Sequence, residues 1–375
     1  MRVVVDGEIY RQQAHGGISR LFNEILPRMC QTNESLSIKL LTSGRTLQQP
    51  PSHPRIANCQ MPEVRRFLRP GRAWKHVTPH AEKAVRFLWT GRARGAIWHS
   101  TYYTMPVRWD GPKVATVHDL NWARFPDLFG RRKSEEWMKR ILRCARSADA
   151  VICVSESTRR DLQDQHSFSA AEIKVVPHGY SPTFQRLEKL PLGHDTALTR
   201  PFLLYVGSRA EYKQFWTLAA AYSTWPRRTE VDLAVVGPRW SRDEATTIAE
   251  LEISDRVHLL ENVDDEMLCT LYNSADAFVY PSLYEGFGIP LLEAMACGCP
   301  IVASDIPTTQ EVAGTSPVYF QPGDIESLSS ALDSAIAEGR GSRRTASGLD
   351  LGKQYSWDRT AAMTMGVYRS VLPLD

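Results

Sequence analysis

Short apolar runs alternate with helix-length segments along nearly the whole chain, and few architectures accept that order. Val3–Asp6 is followed by a helical pattern near Ile18–Cys30, Lys113–His118 by one near Lys133–Ser147, and Ala150–Val154 by one near Glu156–Gln165. A polar segment with Pro and Gly, about Tyr180–Arg200, interrupts the alternation. It resumes with Phe202–Val206, Val231–Val236, Val257–Leu260, Ala277–Tyr280 and Ile301–Ser304. Strands alternating with helices predict βαβ units and parallel sheets. The class is therefore α/β. At 375 residues the chain is long enough for two cores, and the interruption is the expected linker. The predicted domains are Rossmann-like, spanning residues 1–190 and 191–356, with a last helix over 357–375. Ligands of such sheets bind outside the carboxyl ends of the strands.

One stretch concentrates the chemistry. Asp276-Ala277-Phe278-Val279-Tyr280 reads as a buried strand ending at Pro281, which places Glu285 just past a strand end. Pro290 suits the first helical position, and Gly298 followed by Pro300 suits the helix end, so Glu293 falls early in a short helix. Gly286 and Gly288 let backbone N–H groups approach a ligand closely, and a helix start adds unpaired donors and the positive end of a dipole. Phe287 and Ile289 complete this turn. Carboxylates accept from hydroxyls and repel phosphate, so two acids flanking a phosphate cradle point to a ligand with both phosphate and polyol. A pair of Glu at this spacing is also common on exposed helices.

The stretch from Leu203 to Phe320 resembles the donor-binding domain of family 4 glycosyltransferases, retaining GT-B enzymes marked by two Glu separated by seven residues. The resemblance rests on Val206-Gly207-Ser208-Arg209 with Lys213 downstream, on Glu285 and Glu293, and on Ile301-Val302-Ala303-Ser304-Asp305 followed by Glu311-Val312-Ala313-Gly314. It implies two Rossmann-like domains facing each other across a cleft, with the last helix crossing back to the first. It also implies that Glu293 binds ribose, Glu285 the donor sugar, and Arg209 and Lys213 the pyrophosphate. Without that context the two cations, which follow the strand Phe202–Val206 and open a helix near Lys213–Tyr222, read as solvated surface charges. The family usually has Asn or Gly after the lysine, where this chain has Gln214.

Gly16-Gly17-Ile18-Ser19-Arg20 opens the first helix. By itself Gly-Gly is a turn; it resembles the glycine loop of the same enzymes, closest to members that build bacterial surface polysaccharides from mannose-type donors. His118 ends the strand Lys113–Val117; a lone histidine there is commonly a structural hydrogen-bonder, whereas the family places one beside the donor sugar. Ser155 suits a helix N-cap at the rim. Pro177-His178-Gly179 resembles the hinge-proximal Pro-Asn-Gly, with a turn as the preferred reading of His178. Leu259–Met267 matches the segment that meets the nucleotide base, through backbone groups near Asn262 and Val263.

Composition narrows the rest. Residues 1–190 hold 31 Lys/Arg against 17 Asp/Glu, and residues 191–375 hold 14 against 25. A basic half faces nucleic acid, an anionic membrane or a pyrophosphate-linked substrate; no nucleic-acid motif is present, so nucleic acid ranks last. Arg65, Arg66, Arg69, Arg72, Lys75, Lys83, Arg86, Arg92 and Arg94 interleave with Phe67, Leu68, Trp74, Phe87, Leu88 and Trp89. That pattern is either a solvated helical face or a segment resting on an anionic membrane. The seven cysteines are scattered, and Cys297-Gly-Cys299 lacks the spacing and partners of a zinc site. No metal and no cofactor is expected. No apolar run reaches membrane-spanning length and Val3-Val4-Val5 enters a strand directly. The expected location is cytoplasmic, with peripheral attachment to the inner membrane as an option.

The sequence reading is thus a retaining, metal-independent hexosyltransferase acting on a lipid-linked or growing glycan, with a GDP-sugar of mannose or rhamnose type as donor. Its rivals are a UDP-hexose donor, a sugar-nucleotide epimerase and an inactive module of the same fold.

Overall fold

A computed structural model describes residues 1–14, 16–61, 95–106, 108–166, 168, 173–189 and 198–373. The basic and aromatic stretch from Arg65 to Arg94 lies outside them. The chain forms two compact units, Met1–His178 with Trp357–Asp375, and Gly179–Ser356. The division falls at 178/179 rather than 190/191 because the backbone after Gly179 is tied to the helix Asp265–Ser274. Leu187 N–H donates to Asn273 Oδ1 at 2.9 Å, Asn273 Nδ2 donates to Gln185 O at 2.9 Å, and the Phe184 ring meets Tyr272 edge-on.

The first unit contains β1 (Arg2–Asp6), β2 (Ser37–Ser43), β3 (Ile56–Met61), β4 (Ile97–Ser100), β5 (Lys113–Val117), β6 (Ala150–Cys153) and β7 (Ile173–Val175). They form one parallel sheet in the order β3-β2-β1-β4-β5-β6-β7. The second contains β8 (Phe202–Val206), β9 (Asp232–Val236), β10 (Val257–Leu260), β11 (Ala277–Tyr280), β12 (Ile301–Ser304) and β13 (Val318–Phe320), ordered β10-β9-β8-β11-β12-β13 and again parallel. Helices cover both faces, which is why the strands read as nearly unbroken apolar runs. In the second unit Leu203, Tyr205, Leu233, Val235 and Val279 pack against Leu218, Tyr222, Trp225, Leu328 and Leu332. In each sheet the chain reverses its direction of travel at one strand, β1 or β8, and the crevice at such a switch point is where ligands of this architecture bind.

The last helix, Trp357–Ser370, belongs to the first unit and packs on the helix Gly17–Thr32. Thr360 Oγ1 donates to Pro177 O at 2.8 Å. Deeper in, the His99 ring bridges Tyr368 OH at 2.6 Å and Thr116 Oγ1 at 2.8 Å, joining the helix to the sheet. Among the described residues no helix is long and apolar enough to cross a membrane.

Burial keeps three histidines of this unit neutral. It pushes His99 to about 3, His118 to about 4 and His178 to about 3. Tyr368→Phe leaves a buried histidine nitrogen without its partner and is expected to cost about 1–3 kcal/mol in denaturant unfolding. Unfolded histidines titrate near 6.5, so below that pH the unfolded chain binds protons that the native one refuses. Stability is therefore expected to fall on acidification from about pH 6.5 towards 4, by about 1.4 kcal/mol per pH unit for each histidine. His178→Gln should make the slope of stability against pH shallower by about one proton; an unchanged slope would contradict the neutral burial of that ring.

Candidate active site

The loops that leave β8 and β11 at the switch point are built to meet. After Val206 the chain turns through Gly207, whose φ of +144° disfavours a side chain, and Tyr205 OH donates to Ser208 O at 2.6 Å. A short 3₁₀ turn, Glu211–Lys213, precedes the helix Phe215–Thr224. The sequence reading ran that helix through Lys213–Tyr222. The chain instead breaks at Gln214, with φ +53° and ψ +31°. This left-handed conformation gives a backbone reason for Asn or Gly at this position. The Leu283 N–H donates to Tyr212 O at 2.8 Å, tying the β8 loop to the β11 loop.

That tie brings Lys213 and Glu285 together. Lys213 Nζ donates to Glu285 Oε1 at 2.6 Å, and Ser282 Oγ donates to the same oxygen at 2.6 Å. Thr308 Oγ1 holds the Glu285 carbonyl at 2.8 Å. Downstream, Gly288 opens the helix Ile289–Ala296 with φ +107°; a Cβ there would lie 3.1 Å from Leu291 and 3.5 Å from Tyr280 OH. Ile289 is the first helical residue and Pro290 the second, one position later than read from the sequence. The Phe287 side chain is buried and edges against Tyr355. Glu293 is buried inside the helix and accepts from Tyr272 OH at 3.3 Å.

Arg209 is held differently. Its Nε and Nη2 grip Glu244 at 2.8 and 3.1 Å, Nη2 also donates to Arg239 O at 3.1 Å, and the guanidinium lies 4.2 Å from the Trp240 ring centre. Nη1 is buried and has no hydrogen-bond partner among the described residues. A Cβ on Gly237 would sit 3.0 Å from Nη1 and 2.7 Å from Gly207 O, so glycine is required where these loops pass. The bond to Arg209 holds the Glu244 carboxyl down at about 2, helped by the Ser241 N–H. Asn262, exposed with φ +56°, and half-buried Val263 lie in the loop after β10, the outer strand of this sheet.

The first unit carries its own cluster. His118 follows β5, and its Nε2 lies 2.9 Å from Thr101 O, so Nε2 carries the proton and Nδ1 is an acceptor. Nδ1 is buried and unpartnered among the described residues. Thr101 is in turn held by Asp6 at the end of β1, at 2.8 Å. Gly16 is extended at φ 165° and caps the helix that begins at Gly17; its Cβ would overlap the Gln13 side chain at 2.5 Å. Ser155 Oγ accepts from Thr158 N–H at 3.0 Å as a helix cap. His178 packs on the Trp357 ring, 5.8 Å between centroids, in the turn before the second unit.

Within the second unit the structure therefore unites Lys213, Ser282 and Glu285 and places Arg209 and Glu293 on the connected loop and helix. Sequence reasoning missed Ser282, Tyr272, Trp240, Gly237, Thr308 and Glu244. Ser241-Arg242-Asp243-Glu244 is legible as a capping box, but nothing in that pattern says that its glutamate also grips an arginine from another loop.

Comparison with known proteins agrees with this architecture. The model of glycosyl transferases group 1 matches residues 189–347, and that of glycosyltransferase family 4 matches residues 37–184. The chain is 27% identical over 369 residues to the O-antigen chain mannosyltransferase B of Escherichia coli, covering 94% of this chain and 96% of that one. It is 30% identical over 293 residues to the α-maltose-1-phosphate synthase of Mycolicibacterium smegmatis, covering 69% and 73%. Among solved structures, the sucrose-phosphate synthase of Thermosynechococcus elongatus superposes with a TM-score of 0.80 at 19% identity, over 98% of both chains. Two parallel-sheet Rossmann-like halves, a switch point bearing paired acids and fixed cations, and matches spanning both halves make this chain a family 4 glycosyltransferase of the GT-B fold.

Proposed function

We propose that this glycosyltransferase moves a hexose of mannose or 6-deoxy-mannose (rhamnose) type from a GDP-sugar to a lipid-linked or growing polysaccharide acceptor, as in O-antigen synthesis, with retention and without a metal. The observation that carries the reading is the cluster of Lys213, Ser282 and Glu285 at the β8/β11 switch, with Glu293 buried one helix beyond. Glu293 takes the ribose hydroxyls and Glu285 those of the donor sugar, with backbone N–H groups from Gly286 to Ile289 around sugar and phosphate. Lys213 Nζ and Arg209 Nη1 stabilise charge developing on the departing diphosphate, the task a divalent cation performs in other folds; fixed charges of this kind commonly supply the largest catalytic term. His118 Nδ1, aimed by the Nε2–H bond to Thr101 O, accepts from a sugar hydroxyl. No carboxylate is assigned as a covalent nucleophile; attack comes from the leaving-group face, and the departing phosphate takes the acceptor proton. Gly16 and Gly17 offer helix-start N–H groups to donor phosphate or acceptor, and backbone groups at Asn262 and Val263 meet the base.

The similarity to mannosyltransferase B supports a mannose-type donor and an O-antigen type of acceptor. A UDP-hexose donor is kept as the second reading, since a similar chain is named for α-maltose-1-phosphate, a glucose sugar, and not for mannose. The excess of basic residues in the first half suits an anionic, lipid-pyrophosphate-linked acceptor at an anionic membrane surface.

The test is turnover against GDP-mannose, GDP-rhamnose and UDP-hexoses with a lipid-linked acceptor, with the anomeric outcome read by NMR. Transfer only from UDP-hexoses would replace the donor assignment, and isomerised sugar from donor alone would make the protein an epimerase. Activity is expected to survive EDTA; loss reversed by magnesium would contradict metal independence. Glu293→Ala should weaken nucleotide binding, and Glu285→Ala should chiefly lower kcat. Equal effects on nucleotide affinity would remove that division. Arg209→Ala and Lys213→Ala should each cost about 2–4 kcal/mol of transition-state stabilisation, measured as kcat/KM.

A further inference from the structure

A guanidinium has five N–H donors in one plane, so fixing two of its nitrogens aims the third. Arg209 is fixed in this way from outside its own loop. Nε and Nη2 are taken by the Glu244 carboxylate at 2.8 and 3.1 Å, Arg239 O accepts from Nη2 at 3.1 Å, and Trp240 covers the flat face at 4.2 Å. The remaining end, Nη1, is a buried donor without a partner among the described residues, on a side chain only 2% exposed. Glu244 is itself immobilised. It is the third residue of the helix Arg242–Glu250, its N–H donates to Ser241 Oγ at 3.2 Å, and its carboxylate accepts from Ser241 N–H at 2.7 Å. The direction of Nη1 is thus set by a helix start after β9, while the arginine itself follows β8.

We propose that Glu244 is a positioning residue for the donor diphosphate, acting through Arg209 by turning Nη1 towards a phosphate oxygen, with Trp240 as the second wall. The inference rests on the reading of Arg209 as a phosphate ligand. It carries a sign that a simple charge argument reverses. A carboxylate beside the guanidinium cancels much of its charge, so if net charge governed anion binding, removing the carboxylate would tighten it. If orientation governs, removal weakens it.

Glu244→Gln is the variant of choice, because Gln also serves in a capping box and keeps the helix start while breaking the charged two-point grip. The probes are GDP and UDP, with guanosine and uridine as controls, measured by calorimetry on the full chain. Glu244→Gln is expected to keep the melting temperature within a few degrees, weaken diphosphate binding about tenfold, lower kcat/KM alike and leave nucleoside binding unchanged. Arg209→Ala should weaken diphosphate binding at least as much, and adding Glu244→Gln to it should change nothing more. Ser241→Ala, which loses a cap but not the grip, should lower the melting temperature and spare diphosphate affinity. Tighter or unchanged diphosphate binding in Glu244→Gln, equal loss for nucleosides, or additive losses in the double variant would each overturn the role of Glu244. Unchanged diphosphate binding in Arg209→Ala would overturn the phosphate reading of Arg209 and this proposal with it, an outcome distinct from an impaired Arg209→Ala beside an intact Glu244→Gln.

Discussion

The second unit depends on one constraint: β8 sits between β9 and β11, and all of its neighbours run parallel to it. Every loop leaving a carboxyl end therefore emerges on the same edge, and at β8 two of them diverge, one helix connection going each way. The crevice so formed has no hydrogen-bonded strand partner to close it, so it is closed by loop contacts. Leu283 N–H to Tyr212 O is the backbone stitch. Lys213 on one loop and Glu285 on the other are brought to 2.6 Å by it. The chemistry follows from topology, because cation and carboxylate are far apart in sequence and adjacent only through this switch.

Such pairs are poor investments in stability. Removing two charges from water costs several kcal/mol per ion, and the mutual attraction repays that only with good geometry and further hydrogen bonds. Glu285 has those bonds in Ser282 Oγ and Lys213 Nζ, both on one oxygen, and its carbonyl is held by Thr308. A hydrophobic pair of similar volume would pack as well. What the ionic pair supplies instead is preorganisation: a carboxylate whose direction is already fixed, and an ammonium already stripped of much of its water. The same reasoning applies to His118, whose burial keeps it neutral and whose Nε2–H bond to Thr101 O determines which nitrogen accepts.

How much of this could be read from sequence depended on whether the signal was local. The strands β8, β9, β11 and β12 are buried on both faces, so they appear as apolar runs; β3, on the sheet edge and largely exposed along its middle, has no such run and was not anticipated. The turn at Gly286–Pro290 was legible because glycine and proline impose their own backbone. Gln214 concealed its left-handed turn, since glutamine carries no mark of that conformation, and the helix was drawn across it. The bonds that tie residues 185–187 to the second unit were not legible, because a polar segment resembles a linker until Asn273 is seen to hold it to the helix beneath. Glu244 was invisible as a site residue for the same reason: its local pattern offers only a capping glutamate, and its second bond is tertiary.

Arg209, Lys213, Glu244 and Glu285 together carry no net charge, and the half of the chain that contains them holds 14 basic against 25 acidic residues. On the proposed reading the charge of this half offers a diphosphate no attraction at long range, since steering needs an excess of one sign and is screened beyond about 8–10 Å. Recognition on that reading acts at contact, where a donor already aimed and already dry gains more from a phosphate oxygen than a mobile, hydrated one. Pairing each cation with a carboxylate is consistent with that choice. It trades the reach of the charge for its direction. The first half, with its 31 basic and 17 acidic residues, makes the opposite choice. An excess of that size attracts without orienting, which suits a large, flexible, multiply charged partner better than a small donor whose anomeric carbon must be placed to within a fraction of an ångström.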